Sequence, residues 1–496
     1  MTLVEQVHAL AERGDAAGAL SLTERPAASP NASLDALTAR ALALKASGRV
    51  EEALKVYQRA ARAYPRSAVA EHNVAALLGD LHRSAEAVEA AERARQRGGD
   101  APETWLVYGR ALQGVRRFDE ARAAFEAALA RRPGWHEPLR DLAQLIWMRT
   151  ADADAALAPV EAALRRWPHH PVLTVIAATV ESYTNRGEAA YARVAAAAHA
   201  AGGSSPDLEM MAAGIANGLG RADLGLEHAG AVLRMERTNA QAAMLACDAW
   251  LGLGQPDPAA RMAERLLTLD ANDQQALARL ATAWRLMGDP RASTLYDYDA
   301  FVRAYELDTP AGWPTLDAYL ADLVAALHRE HQLGAHPFDQ SLRGGVQTPE
   351  DLRSYDDPAI VAFYRAIDGP IRRHMAALGQ GSDPHRRRNT GAYKVAGAWS
   401  VKLQPNGYHV EHIHPMGWLS SACYLEVPPA VDEPGHTGWI RFGKPGIPTT
   451  PALDAERHIK PRPGMLVLFP SYMWHGTVPF SGETSRLTAA FDVIPA

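Results

Sequence analysis

The chain predicts an α + β multidomain fold: an all-α repeat solenoid, then supporting helices, then an antiparallel sandwich or barrel of short strands. Three observations predict it. Small and large apolar residues recur with a period of 34 over the first part of the sequence. Beyond about residue 391 the apolar pattern changes from helical spacing to alternation. In that second part a dense group of histidines is followed, after a long gap, by another histidine and an arginine.

Ala53, Ala87 and Ala121 lie 34 residues apart, as do Tyr57, Ala91 and Phe125, and Ala60, Ala94 and Ala128. Small residues at two helix-facing positions with a larger one between them, at this period, are the tetratricopeptide pattern. The small residues let the two helices of a hairpin approach closely, and the larger one fills the groove of the next hairpin. The fullest copy is 102–135, with Trp105, Tyr108, Gly109, Leu112, Phe118 and Pro133 in place. The next copy slips by one residue, at Ala156, Val160, Ala163 and Pro168, and 174–208 is Ala-rich and degenerate. The register returns at Gly225, Ala229 and Val232, matched 34 residues on by Ala259, Ala263 and Leu266. About seven or eight hairpins are expected up to residue 292.

After Tyr296 the composition changes. Residues 315–332 and 357–378 are apolar at helical spacing, with a Gly/Gln/Pro loop between them. Ala398–Leu403, Ala422–Val427 and Gly464–Phe469 read as short strands between Pro/Gly turns. By pattern the chain divides into a repeat solenoid over 1–295, a linker with barrel-supporting helices over 296–390, and a barrel core over 391–496.

The bulk properties exclude several classes. With 496 residues the chain is too long for one ordinary core. Apolar residues at 47% and charged residues at 22% are those of a globular protein. The net charge of −6, with signs mixed, argues against a nucleic-acid partner. Arg386-Arg387-Arg388 is expected to be a solvated loop. No apolar run approaches the ~18 residues of a membrane span, and Met1–His8 does not read as a signal peptide. Cys247 and Cys423 lie in regions of different character, so no disulfide between them is expected. A cytoplasmic location is the expectation.

The chemistry concentrates in His409-Val410-Glu411-His412-Ile413-His414. On a strand, residues two apart share a face, so His412 and His414 can reach one metal, with His409 and Glu411 as a competing pair on the other face. His475, after Phe469-Pro470-Ser471, is the candidate third ligand. Three protein ligands leave positions open for substrate and oxygen, as in non-haem iron oxygenases. Arg486 lies eleven residues beyond His475, with Thr488 two further on. A guanidinium and a hydroxyl on one strand face suit the distal carboxylate of 2-oxoglutarate.

At these residues the sequence resembles the 2-oxoglutarate/iron(II) dioxygenase superfamily, whose fold is a double-stranded β-helix, or jelly roll. The likeness is greatest to a bacterial and phage branch whose members often follow tetratricopeptide repeats. It is carried by Ser341–Thr348, His412–Pro415 with Trp418-Leu419-Ser420 and Tyr424-Leu425, Pro463-Gly464 with Leu468–Ser471 and His475, and Arg486 with Phe491, over about 315–496. The resemblance implies that His412, His414 and His475 hold Fe(II), that Arg486 holds 2-oxoglutarate, and that molecular oxygen is the oxidant. His414 departs from the wider pattern, where an aspartate or glutamate is usual, so an all-histidine site lacks one negative charge.

The repeats suggest a peptide or protein substrate held in their groove, hydroxylated on a side chain. Two other readings stand beside this one. A cupin-like metalloenzyme would use the same histidines without 2-oxoglutarate, but would leave Arg486 unexplained. A repeat scaffold with a degenerate barrel would need neither cofactor. Trp399, Trp418, Trp439 and Trp474 are expected in barrel core or rim, Lys402 on the surface, and Arg343-Gly344-Gly345 in a loop serving as lid or connector.

Overall fold

The computed structural model describes residues 1–496. Leu3–Met287 folds as seventeen consecutive helices. The first two precede seven hairpins, from Leu34–Ala46 with Val50–Ala63 to Ala240–Gly252 with Pro256–Leu269, and Gln274–Met287 closes the series. The period is written in the backbone as well as in the side chains. A residue with positive φ follows the first helix of each hairpin, at Gly48, His82, Arg116, Ala151, Asn185, Gly220 and Gly254, and the same conformation recurs at Gly14 and Gly288. These left-handed caps end one helix and turn the chain into the next. The one-residue slip seen in the sequence falls between Arg116 and Ala151, and a second falls between Asn185 and Gly220. Ala53, Ala60, Ala87, Ala94, Ala121 and Ala128 are wholly buried. Gly109 is required by the same packing, because a Cβ there would lie 2.6 Å from the Phe125 ring.

Contacts divide the chain into two compact units, Met1–Leu145 and Ile146–Ala496. The expected ranges 1–295, 296–390 and 391–496 divide the chain by element type, and the contact boundary falls elsewhere, inside the run of helices. Within the second unit the reason is visible. Helix Gln274–Met287 contributes Leu277, Ala281 and Trp284 to one core with Phe442, Phe469 and Trp474 of the strand region. Trp474 Nε1 donates to Thr282 Oγ1 at 3.1 Å, and Trp147 Nε1 donates to the His336 carbonyl at 2.8 Å.

Nine strands follow: β1 (Arg303–Glu306), β2 (Leu342–Gln347), β3 (Tyr393–His409), β4 (Leu419–Glu426), β5 (Ile440–Phe442), β6 (Arg457–Ile459), β7 (Met465–Pro470), β8 (His475–Thr477) and β9 (Arg486–Pro495). They form a six-stranded sheet, β1-β7-β4-β9-β3-β2, and a three-stranded sheet, β6-β5-β8. All pairings are antiparallel. This is the jelly-roll architecture behind a helical solenoid. Helices Leu316–Glu330 and Pro358–Leu378 sit where the sequence places them, and cover the large sheet through Tyr319, Leu323, Phe363 and Ile367. Alternation along β9 explains the site. Leu487, Ala489, Phe491 and Val493 enter the core shared with these helices, while Arg486, Thr488, Ala490 and Asp492 face the other way, into a pocket.

Two expectations change. Arg343-Gly344-Gly345 is not a loop but part of edge strand β2, paired with β3. Arg386–Arg388 forms a short 3-10 turn tied down by its side chains: Arg386 pairs with Asp383, and Arg388 donates to the Gly417 carbonyl. Cys247 and Cys423 are both free and buried. No helix is long and apolar enough to cross a membrane.

Candidate active site

The pocket is a cavity of about 440 Å³ between the two sheets. Trp399 and Val401 of β3, Tyr424 of β4, and Arg486, Thr488 and Asp492 of β9 line one wall. His475 and Thr477 of β8 and Ile440 of β5 line the other. His412 and His414 come from the segment joining β3 to β4.

One ligand atom from each of His412, His414 and His475 lies within 4.8 Å of the others. The backbone fixes this approach. His412 and His475 form an isolated antiparallel bridge, and the His414 N–H donates to the Ser471 carbonyl at 2.9 Å. Each imidazole is also held by its Nδ1. That of His412 donates to the Val410 carbonyl at 2.8 Å, that of His475 to the Met473 carbonyl at 3.0 Å, and that of His414 bonds Asp492 Oδ2 at 2.9 Å. With Nδ1 engaged as the protonated nitrogen, Nε2 keeps its lone pair for a metal. Burial, reinforced by His414, lowers the His412 pKa to about 3, and burial with His412 and His414 as neighbours holds His475 well below the usual range. Neutral imidazoles are the ligating form, so this donor set fits a divalent cation.

Arg486 is 3% exposed and has no acidic partner. Its terminal nitrogens donate to the Gly438 carbonyl and to Thr477 Oγ1, both at 3.1 Å, and its Nε is buried without an acceptor. The guanidinium stands 5.5 Å from the Tyr424 ring centroid. Burial lowers its pKa. A buried cation without a counter-ion is costly, and this one faces a cavity, so the site fits an anionic ligand. Thr488 lies beside it, its hydroxyl 3.4 Å from the Val401 carbonyl.

Residues 397–492 match the model of the family described as "Putative 2OG-Fe(II) oxygenase". Residues 34–67 and 102–145 match tetratricopeptide-repeat models. The strand region thus matches an oxygenase-family model and follows segments that match tetratricopeptide-repeat models. Among solved structures, the chain is similar to one described as "Crystal structure of APC/C hetero-tetramer Cut9-Hcn1", at 16% identity over 57% of this chain and 54% of that one, with TM-score 0.33. It is similar to MamA 41-end from Desulfovibrio magneticus RS-1, at 16% identity over 34% and 95% of the two chains, with TM-score 0.30. It is also similar to a tetratricopeptide repeat protein from Parabacteroides merdae ATCC 43184, at 14% identity over 49% and 96%, with TM-score 0.36. The chain thus spans about half the length of the first of these. No curated protein matches the sequence.

The strand region departs from strand reasoning at one point. The alternation that sets His409 and Glu411 on one face, opposite His412 and His414, assumes a continuous strand. β3 ends at His409, and the chain then bends. His409 therefore lines the same pocket, stacked on His412 with ring centroids 5.7 Å apart, its Nδ1 bonded to Ser341 Oγ at 3.0 Å. Glu411 turns away to an ion pair with Arg441. Lys402 is not among the lining residues. Sequence reasoning also missed Asp492, and it quoted Tyr424 only within a resembling segment, without placing it in the pocket. For Asp492 a signal existed: it is six residues from Arg486 on one strand, hence on the same face.

A second cavity lies beside the pocket. Asp339 lines both, and the second has a volume of about 860 Å³. That cavity is walled by helices Pro171–Tyr183, Pro206–Gly218 and Ala240–Gly252 through Val175, Met211, Ile215 and Leu245, with Arg343 and Gly446 from the barrel side.

Proposed function

We propose that this protein is an Fe(II)- and 2-oxoglutarate-dependent oxygenase that hydroxylates a side chain of a polypeptide lying in the groove of helices 171–252. The observation that carries this is the pairing, in one pocket, of three histidines with free Nε2 edges and a buried arginine without a counter-ion. A cupin-like site would have no use for that arginine, and a degenerate scaffold would have no reason to keep it buried and unpaired.

In this reading His412, His414 and His475 hold the iron through Nε2, each fixed by its Nδ1 acceptor. Arg486 and Thr488 would hold the distal carboxylate of 2-oxoglutarate. When bound, iron and 2-oxoglutarate couple reduction of dioxygen to loss of carbon dioxide, giving succinate and placing one oxygen atom on the substrate. Apolar walls at Val401, Ile440 and the Tyr424 ring exclude water around the guanidinium, which strengthens its charge-assisted contacts.

The polypeptide reading is supported by the nearness of the two cavities, which share Asp339 in their walls. Adjacent helices stand about 10 Å apart, so a groove over three of them takes about six extended residues at ~3.3 Å each. Met210 and Met211 supply adaptable apolar surface for side chains. The test is anaerobic titration of the Fe(II)-loaded protein with 2-oxoglutarate, followed by succinate release in air with and without peptide libraries. Saturable 2-oxoglutarate binding and peptide-stimulated succinate are expected. Iron binding without 2-oxoglutarate binding would overturn the oxygenase reading, and stimulation by small metabolites alone would overturn the polypeptide.

A further inference from the structure

Of the three imidazoles, only His414 has an anionic partner. The Nδ1 acceptors of His412 and His475 are neutral backbone carbonyls. That of His414 is the Asp492 carboxylate, at 2.9 Å. Asp492 is itself fixed. Its Oδ1 accepts from Ser420 Oγ at 2.7 Å, and Ser420 Oγ bonds Ser471 Oγ at 2.8 Å. Ser471 closes the ring, since its carbonyl accepts the His414 backbone N–H. Gly417 makes room for this ring: a Cβ there would lie 2.2 Å from Ser471 Oγ. Both carboxylate oxygens thus have assigned partners, and none of them is a lysine or arginine. The side chains of His414 and Asp492 are 12% and 16% exposed, so solvent screens this charge only in part.

We infer that Asp492 is a positioning residue that supplies, through His414, the negative charge this metal centre lacks in its direct ligands. The usual facial site for non-haem iron has two histidines and one carboxylate. Here the third ligand is an imidazole, and the carboxylate stands one residue further out, on β9. A carboxylate accepting from Nδ1 fixes the tautomer with Nε2 toward the metal and raises the basicity of the ring. The net charge of triad and carboxylate together is that of the usual site. The carboxylate also lies on the same strand face as Arg486 and Thr488, so β9 carries both the anion that favours the metal and the cation that favours the co-substrate. The inference rests on the reading of the three histidines as metal ligands.

The test is anaerobic Fe(II) titration of the full chain by calorimetry, repeated with Co(II) so that its visible absorption reports the ligand field. Asp492→Asn is expected to weaken both metals by about 10–100-fold and to shift the Co(II) bands, with the melting temperature of the metal-free protein close to that of wild type. The paired substitution His414→Asp/Asp492→Asn moves the charge onto the ligand itself and is expected to return Fe(II) affinity to within about threefold of wild type. Unchanged affinity and spectrum in Asp492→Asn would overturn the inference while leaving the histidine triad standing. So would a paired variant that folds and binds as weakly as a chain without the carboxylate. If Asp492→Asn does not fold, the paired variant measured against wild type carries the test. A wild-type chain that binds neither metal would overturn the functional reading, and this inference with it.

Discussion

The His412 and His475 rings stand 4.1 Å apart between centroids, and their backbones exchange both hydrogen bonds of an isolated bridge, at 2.9 and 3.1 Å. The bridge joins the segment after β3 to the start of β8, and so holds two ligands together across the two halves of the barrel. Because it is made by main chain, it survives loss of either side chain.

His475→Ala is therefore expected to abolish Fe(II) binding while the fold persists. Loss of one of three ligands should cost at least about 100-fold in affinity, more than the loss of an outer partner. Glu411→Gln is the control. It breaks the pair with Arg441 and should lower stability by on the order of 2 kcal/mol, with Fe(II) affinity unchanged. Anaerobic calorimetry and thermal unfolding read both. Iron loss in Glu411→Gln and retention in His475→Ala would reverse the assignment.

Arg486→Met removes a buried charge that has no counter-ion. Co-substrate affinity should fall by on the order of 2–5 kcal/mol, since the carboxylate is left unpaired. The metal-free protein should lose far less, because the cost of burying the guanidinium disappears along with its contacts to Gly438 and Thr477. Differential scanning with and without 2-oxoglutarate distinguishes the two effects. A ligand-induced rise in Tm equal to that of wild type would rule out this role for Arg486.

Much of this was legible in the sequence, and the exceptions have physical causes. The 34-residue period, the two supporting helices and the three buried strands rest on local periodicity, which survives folding unchanged. The histidine pair follows from an alternation that holds only along a continuous strand, and since β3 ends at His409 the same rule places His409 on the wrong side. Glu411 and His409 are separated by a bend that no alternation rule contains. Asp492 was missed because its role depends on a contact 78 residues away in sequence, with His414. The helix that closes the repeats packs into the barrel core through Trp284, which pattern alone cannot distinguish from a face meeting another repeat.

The repeat turns offer a stability test. Ala151 takes φ 54° at a position where Gly48, Gly220, Gly254 and Gly288 take the same conformation without a Cβ. A left-handed non-glycine residue costs about 1–2 kcal/mol, offset in part by the greater chain entropy of glycine. Ala151→Gly should raise stability by about 1 kcal/mol. A lower denaturation midpoint would show that the turn is held by contacts of the Ala151 methyl.

His374 is one of the buried histidines that make stability depend on pH, and it lies away from the metal site. It is wholly buried on helix Pro358–Leu378, with Nδ1 near Tyr305 Oη at 3.3 Å, and burial, assisted by Arg303, lowers its pKa to about 3. The unfolded chain, with an ordinary histidine pKa of about 6.5, binds the proton first. Stability is therefore unaffected by this group above about pH 7 and falls as pH drops from about 6.5 toward 3, by at most ~1.4 kcal/mol per unit. His374→Gln should flatten the acid limb of a urea-midpoint profile measured from pH 7.5 to 5. Parallel profiles for variant and wild type would count against a neutral buried imidazole.

The groove that opens at Asp339 is tested by filling it. Gly214 lies on helix Pro206–Gly218 among the lining residues, and a Cβ there would meet Leu245 at 3.6 Å, an ordinary contact. Gly214→Gln thus fits the fold, favours the helix by up to about 1 kcal/mol, and puts a long side chain where the polypeptide is proposed to lie. It touches none of the residues around the histidines or Arg486. The expected result is a rise in KM for the polypeptide of about tenfold or more, the loss of one or two good side-chain contacts at about 1.4 kcal/mol per decade. The 2-oxoglutarate KM and the slow succinate release without substrate should not change. The full chain is the protein on which to measure this, since a chain begun at residue 296 would strip Leu277, Ala281 and Trp284 from the core that also holds Trp474. An unaltered polypeptide KM in a folded Gly214→Gln protein would mean that the helices at 171–252 brace the barrel and leave substrate recognition to the barrel mouth.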